Sequence, residues 1–286
     1  MEMKSIIVVL GIIIVVSGAI LGYYYLNMNH ENGSTPIVNN NISSEDINIL
    51  FLHHSTGSNI WNGGVKEWFE SYNISYSTNY SIFEQDFPKS SPYGWNNYPF
   101  DYWNIWVNHA GSEPYKEEPT LEILTEIYDV IIWKHCFPVS DIVTDSGDPS
   151  IDSDEKCIEN YKLHYNALKA KMKEFSDTNF IVWTISSLVA SSTTEEKAVR
   201  AKEFYHWVKD EWDDKGDNIY LWDFYILETE GDLYVQNDYS VNPSDSHPNH
   251  EFSMMVAPYL CQRIIDVIDG KGDDMDITGK SITVII

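Results

Sequence analysis

Ile47-Asn48-Ile49-Leu50-Phe51-Leu52 runs directly into His53-His54-Ser55-Thr56-Gly57. The first six residues are rich in β-branched and large apolar side chains, the composition of a buried strand, and the run ends in a polar cluster closed by glycine, which signals a turn. A serine at that place sits on a rigid strand end with its hydroxyl facing outward. This stretch predicts a β/α fold and marks where its site lies.

Outward from it, β-type runs alternate with helical patterns. Strand-like segments fall at 47–53, 74–80, 129–135, 179–186 and 218–224, and helix-like segments at 59–71, 119–127, 153–175, 194–213 and 250–268. Five β/α units in sequence predict an α/β fold, a three-layer α/β/α arrangement around a five-stranded parallel sheet, because parallel strands need crossover connections that cover both faces. Asp129-Val130-Ile131-Ile132-Trp133 and Asn179-Phe180-Ile181-Val182-Trp183 are near-continuous apolar runs suited to central strands. Ile158, Tyr161, Leu163, Tyr165, Leu168 and Met172 recur at roughly helical spacing and are expected in the core. The long connection 81–118, with Pro88, Pro92, Pro99 and Pro114 and with Trp95, Trp103 and Trp106, is expected to cover part of a cleft.

Almost two hundred residues after Ser55, Asp245-Ser246-His247-Pro248-Asn249 stands just before the last amphipathic helix. In open α/β sheets the ligand site lies beyond the carboxyl ends of the strands. That edge would gather Ser55, the strand-three end at Lys134 and His135, Ser186, and the Asp245–His247 pair. A free serine is a poor nucleophile, so His247 is expected to act as general base toward Ser55 and then as general acid, with Asp245 orienting the ring. Alternatively Ser55 only caps the next helix. His53 and His54 read as strand-end packing residues and Cys136 as a small buried apolar residue.

These residues resemble the SGNH, or GDSL-like, hydrolase family. There a Ser follows the first strand in a Gly-Asp-Ser-like block, and an Asp-x-x-His block, often continuing Pro-Asn, precedes the last helix; the matching segments here are 53–57 and 244–249. The resemblance spans 47–268, most of the chain beyond residue 46, and implies a flavodoxin-like sheet and esterase, lipase or carbohydrate deacetylase activity through an acyl-serine, without metal or cofactor. Three features depart from the family. Its acid lies three residues before the His, where this chain has Ser244, so either Asp245 or a backbone carbonyl orients His247. Its Gly-x-Asn-Asp block after the third strand is replaced by Lys134-His135-Cys136-Phe137-Pro138, which makes His135 or Lys134 the candidate donor to the oxyanion beside the Ser55 N–H. Its oxyanion glycine follows the second strand, where Gly94 is the candidate, with Gly111 behind it.

Of 286 residues, 43% are hydrophobic and 14% aromatic, values of a packed globular domain, and Trp and Tyr number 10 and 19. The formal charge of -26 argues against a nucleic-acid partner, since phosphate backbones select Lys and Arg. Residues 5–26 run about 22 residues without a charge, long enough to span a bilayer. Residues 1–26 are thus read as a membrane anchor, an N-terminal transmembrane helix, or as a cleaved signal. Either reading puts the domain outside the cell membrane, anchored to the lipid bilayer in the first case and secreted in the second. Residues 27–46 read as a polar flexible linker, 47–270 as the hydrolase-like domain and 271–286 as a solvated acidic tail, whose last six residues have strand composition. Asn-x-Ser sequons begin at Asn32, Asn41, Asn73 and Asn79, compatible with an external surface. Cys136, Cys157 and Cys261 leave at least one thiol unpaired, and no Cys/His spacing predicts zinc. The leading expectation is an ester hydrolase. The competing one is a noncatalytic surface protein that binds a glycan or envelope partner through its Trp- and Tyr-rich loop. Phosphoryl or sulfuryl transfer lacks a phosphate loop or a convincing carboxylate set.

Overall fold

In a computed structural model that describes residues 46–94 and 97–281, β1 (Asp46–His53) is flanked in parallel by β2 (Asn79–Asp86) and β3 (Val130–Trp133). β4 (Asn179–Trp183) pairs with β3, and β5 (Ile219–Trp222) pairs with β4, all parallel. The order β2-β1-β3-β4-β5 is compatible with a flavodoxin-like sheet. The expected anchor over 1–26, the linker up to residue 45 and the last five residues of the expected final strand lie outside the described residues, as do the sequons at Asn32 and Asn41. Among the described residues no helix is long and apolar enough to cross a membrane.

The period-two alternation of each strand divides the core into two layers. Leu50, Leu52, Ile131, Trp133, Phe180, Val182, Ile219 and Leu221 face one layer. Against them pack α3 (Pro99–Trp103) with its continuing π-turn (Asn104–Asn108), α4 (Leu121–Leu124), α5 (Ile158–Met172) and α6 (Glu195–Trp207), which runs into a second π-turn at Val208–Trp212. Ile49, Phe51, Val130, Ile132, Ile181, Trp183 and Trp222 face the other layer. That side is covered by α1 (Ser55–Trp61), α2 (Val65–Tyr76), α7 (Phe224–Thr229) and α8 (His250–Ile268). β6 (Ser240–Asn242) and β7 (Asp245–Pro248) form a separate antiparallel ribbon before α8.

Several expectations change. The predicted helix over 59–71 is two helices, α1 and α2, and the predicted strand over 74–80 begins inside α2. There Ile74, apolar and β-branched, is 84% exposed on the helix surface. In α5 the buried stripe uses His164 where Leu163 was expected, and His164 Nε2 bonds the Ile151 carbonyl at 2.8 Å. In the long connection Trp103 and Trp106 are buried against the Trp133 layer. Residues 272–278 are docked rather than a free tail. Arg263 Nη1 donates to the Gly272 carbonyl at 2.6 Å, and Trp222 Nε1 donates to that of Thr278 at 3.0 Å.

Candidate active site

β1 ends at His53, and the extended His54 turns the chain so that α1 begins at Ser55, its first turn closed by Ser58 N–H to the His54 carbonyl at 3.0 Å. Ser55 is exposed while His53, His54, Thr56 and Gly57 around it are buried. The close approach of α1 to the strand end needs a glycine, because a β-carbon on Gly57 would meet the His53 β-carbon at 2.3 Å. His53 Nε2 pairs with Glu84 Oε2 at 2.9 Å, and His54 Nε2 bonds the Pro88 carbonyl. Burial, aided by the Lys134 charge, pushes His53 down to about 3. Both histidines are strand-end supports, neutral under ordinary conditions for His53.

β3 lies beside β1, so its exit, Lys134-His135-Cys136, borders the same crevice. This is where the sheet order reverses, the usual ligand position in such sheets. Cys136 Sγ lies 3.9 Å from Ser55 Oγ, and Lys134 Nζ lies 3.3 Å from that sulfur. Asn97 ties the β3 exit to that of β2: its Oδ1 accepts the Cys136 N–H at 2.5 Å and its Nδ2 donates to the Phe87 carbonyl at 3.0 Å.

The ribbon supplies the third component. His247 Nε2 stands 2.9 Å from Ser55 Oγ, and His247 Nδ1 stands 2.6 Å from Asp245 Oδ1. The same Asp245 oxygen accepts the His247 backbone N–H at 3.0 Å, and these bonds hold its carboxyl below the usual range. An ionised Asp245 accepts a hydrogen bond from Nδ1–H, which leaves Nε2 to accept from the serine hydroxyl. The two-residue Asp-x-His spacing thus works through a short loop of carboxylate, backbone and ring, and Asp245 rather than a carbonyl engages Nδ1. Ser244, at the family's acid position, turns away to Asn242 Oδ1 at 2.8 Å. Phe137 sets its ring edge-on to His247, with centroids 4.8 Å apart and planes at 88°.

Several contacts fix the ribbon to the body, among them Ser191 Oγ to the Pro243 carbonyl at 2.6 Å. Asn59, one turn after Ser55 on α1, donates Nδ2 to the Pro248 carbonyl at 2.6 Å. Buried Ser246 accepts the Val189 N–H at 3.0 Å. Neither residue was anticipated. Asn59 carried a usable signal, since i and i+4 share a helix face; Ser246 sits in the late block, but its partner lies 57 residues away.

The oxyanion candidates fare differently. The Ser55 N–H, as the first of α1, has no carbonyl within its own helix to bond. His135 is not positioned as a donor at the surface: it is 3% exposed and enclosed by the rings of Tyr102, Trp133 and Tyr165. Burial pushes its ring down to about 3, so it is a packed neutral imidazole. Lys134 is fully buried beneath Ser55, against the Trp183 ring. Gly94 has φ 83° and Gly111 φ 147°, each with open space at the β-carbon position, and among the described residues no hydrogen bond joins either to Ser55, His247 or Asp245.

Elsewhere, Asp145, Cys157 and Glu159 bring ligand atoms within 4.8 Å of one another. Glu159 Oε1 already accepts from Ser146 N, Ser146 Oγ and Gly147 N. Cys136, Cys157 and Cys261 are all free and buried. At the Asn73 sequon the amide is committed, Nδ2 to the Tyr80 carbonyl at 2.8 Å and Oδ1 to the Tyr80 N–H at 3.0 Å.

Comparison of the chain with protein-family models, with curated proteins and with solved structures gives no match.

Proposed function

We propose that the protein is a serine-dependent ester hydrolase of the SGNH-like type, anchored or exported through its N-terminal segment and acting outside the membrane, with an O-acetylated surface glycan as the substrate class. The single observation that carries this reading is the chain Ser55 Oγ to His247 Nε2 at 2.9 Å and His247 Nδ1 to Asp245 Oδ1 at 2.6 Å, at the switch point of the sheet. The separation is within hydrogen-bond reach before any substrate arrives.

In the reaction Ser55 Oγ attacks the ester carbonyl carbon while its proton passes to His247 Nε2. Asp245 stabilises the imidazolium, and the Ser55 N–H donates to the developing oxyanion. Collapse of the tetrahedral species breaks the bond to the alcohol, which leaves with the proton from His247. Water, activated by the same ring, then releases the acid and restores the serine.

The noncatalytic alternative draws on the 134–138 segment, which offers no Asn for the oxyanion. Against it, Trp103 and Trp106, the described tryptophans of the loop assigned to binding, are buried in the core and have no face to offer a ligand. The test uses the detergent-solubilised full chain with a short-chain aryl ester. Turnover by the native chain that Ser55→Ala abolishes supports the hydrolase; equal rates from both, or none from either, overturn it.

A further inference from the structure

Lys134 is the unusual residue of this fold. An ammonium with no exposure needs a partner, because an isolated buried charge is strongly disfavoured. Its closest partner is Cys136 Sγ at 3.3 Å. The same sulfur receives the backbone N–H of Thr56 and faces Ser55 Oγ at 3.9 Å. Thr56 carries a hydroxyl that is buried and has no hydrogen-bond partner among the described residues. Cys136 is 3% exposed, and Ser55, in contact with it, is open to solvent. Burial raises the Cys136 thiol, yet Lys134, Thr56 and Ser55 together bring it below its ordinary value. The other two cysteines have no such cation, and burial raises both.

We propose that Lys134 and Cys136 form a peroxide-sensitive modification site beneath Ser55. Hydrogen peroxide is the oxidant. The Cys136 thiolate attacks one peroxide oxygen, the O–O bond breaks, and hydroxide leaves, giving a sulfenic acid whose added oxygen lies on the Thr56 and Ser55 side of the sulfur. The neutral Lys134 amine, having given its proton to that hydroxide, then attacks the sulfur. An S–N bond forms, the S–O bond breaks and water departs, leaving a sulfenamide with two hydrogens fewer than the starting pair. Two equivalents of an external thiol reverse it, restoring thiol and amine and forming one external disulfide. On the hydrolase reading, either oxidised form disturbs the serine that His247 must deprotonate, and activity falls reversibly.

The experiment exposes the folded full chain to dilute hydrogen peroxide, with and without a sulfenic-acid trapping dione, and follows all three cysteine-containing peptides by mass spectrometry. Cys157 and Cys261, equally free and buried, are internal controls. Cys136 is expected to be trapped at least ~10-fold faster than either, and without the dione the Lys134–Cys136 peptide is expected to lose two hydrogens until a thiol reductant is added. Trapping of Cys136 no faster than of Cys157 or Cys261 overturns the site, and trapping without hydrogen loss overturns the lysine step. Lys134→Arg, which keeps the cation but not the amine nucleophile, is expected to retain trapping and lose the cross-link. This readout needs no ester turnover, so its failure is separable from failure of the hydrolase reading; activity loss reversed by thiol is expected only if both hold.

Discussion

Gly57 passes His53 so closely that a β-carbon added to Gly57 would stand 2.3 Å from the β-carbon of His53. The His53 β-carbon is fixed by the backbone, so rotation of the imidazole gives no relief. Helix α1 can start where it does only because that carbon is missing. Gly57→Ala is therefore expected to displace the first turn of α1 and cost about 1–3 kcal/mol, the usual range for overpacking. Urea denaturation followed by tryptophan fluorescence measures this, and an unchanged midpoint would contradict the packing described.

Asp245 meets His247 through both a ring nitrogen and a backbone N–H. On the hydrolase reading, Asp245→Asn would preserve the shape of the loop while favouring the wrong imidazole tautomer. The expected loss in kcat is on the order of 10³ to 10⁴, by analogy with other triads. Labelling of Ser55 by a fluorophosphonate should slow in parallel. Equal labelling rates in the two proteins would remove Asp245 from the proposed mechanism.

Ser246 lies between those two residues and points the other way, into the body, where its hydroxyl accepts the Val189 N–H. Ser246→Ala leaves that amide without its partner, at an expected cost of about 1–3 kcal/mol. Since the bond anchors β7, on the hydrolase reading ester turnover should fall further than global stability alone accounts for. Amide exchange at Val189 reports the lost bond directly.

His53 and His135 are held down to about 3 and His164 to about 4, in each case chiefly by burial, against 6.5 when unfolded. Between those values the unfolded chain binds more protons than the native one, so this contribution to stability is fully present above about pH 6.5 and is lost as pH falls toward 3. Each such proton adds a slope of about 1.4 kcal/mol per pH unit. His135→Phe, which keeps a ring in the aromatic cage, should flatten the fall of stability between pH 6.5 and 4 by up to that amount. Denaturation midpoints across this range measure it.

The parts of the fold that were legible share a property: their local pattern agrees with their tertiary burial. Asn179–Trp183, apolar from Phe180 onward, is inner strand β4, and the amphipathic 250–268 coincides with α8. The strand over 74–80 was misread because Ile74 and Tyr76 carry strand-like side chains that α2 leaves exposed, whereas β2, at the sheet edge and half exposed, has no apolar run to announce it. The ribbon was invisible because Asp-Ser-His-Pro has little strand propensity, and its pairing is local and short. Ser55, Asp245 and His247 were legible because each stands at the end of a predicted element, where topology brings chain ends to one rim. Asn97, Lys134 and Cys136 were not: the bonds that define their roles join segments tens of residues apart, and a lysine in an apolar setting gives no sign in sequence of what neutralises it.

His247 rides on a two-stranded ribbon with an irregularity in its register, while Ser55 is fastened to the central sheet. The two partners of the Ser55–His247 contact therefore differ in mechanical security. Small ribbons open at low free-energy cost, well before a parallel sheet buried on both sides. Mild denaturant should consequently part the imidazole from the hydroxyl while the remainder of the protein is still native, so that on the hydrolase reading ester turnover is the first casualty of stress and the first thing regained when it is withdrawn.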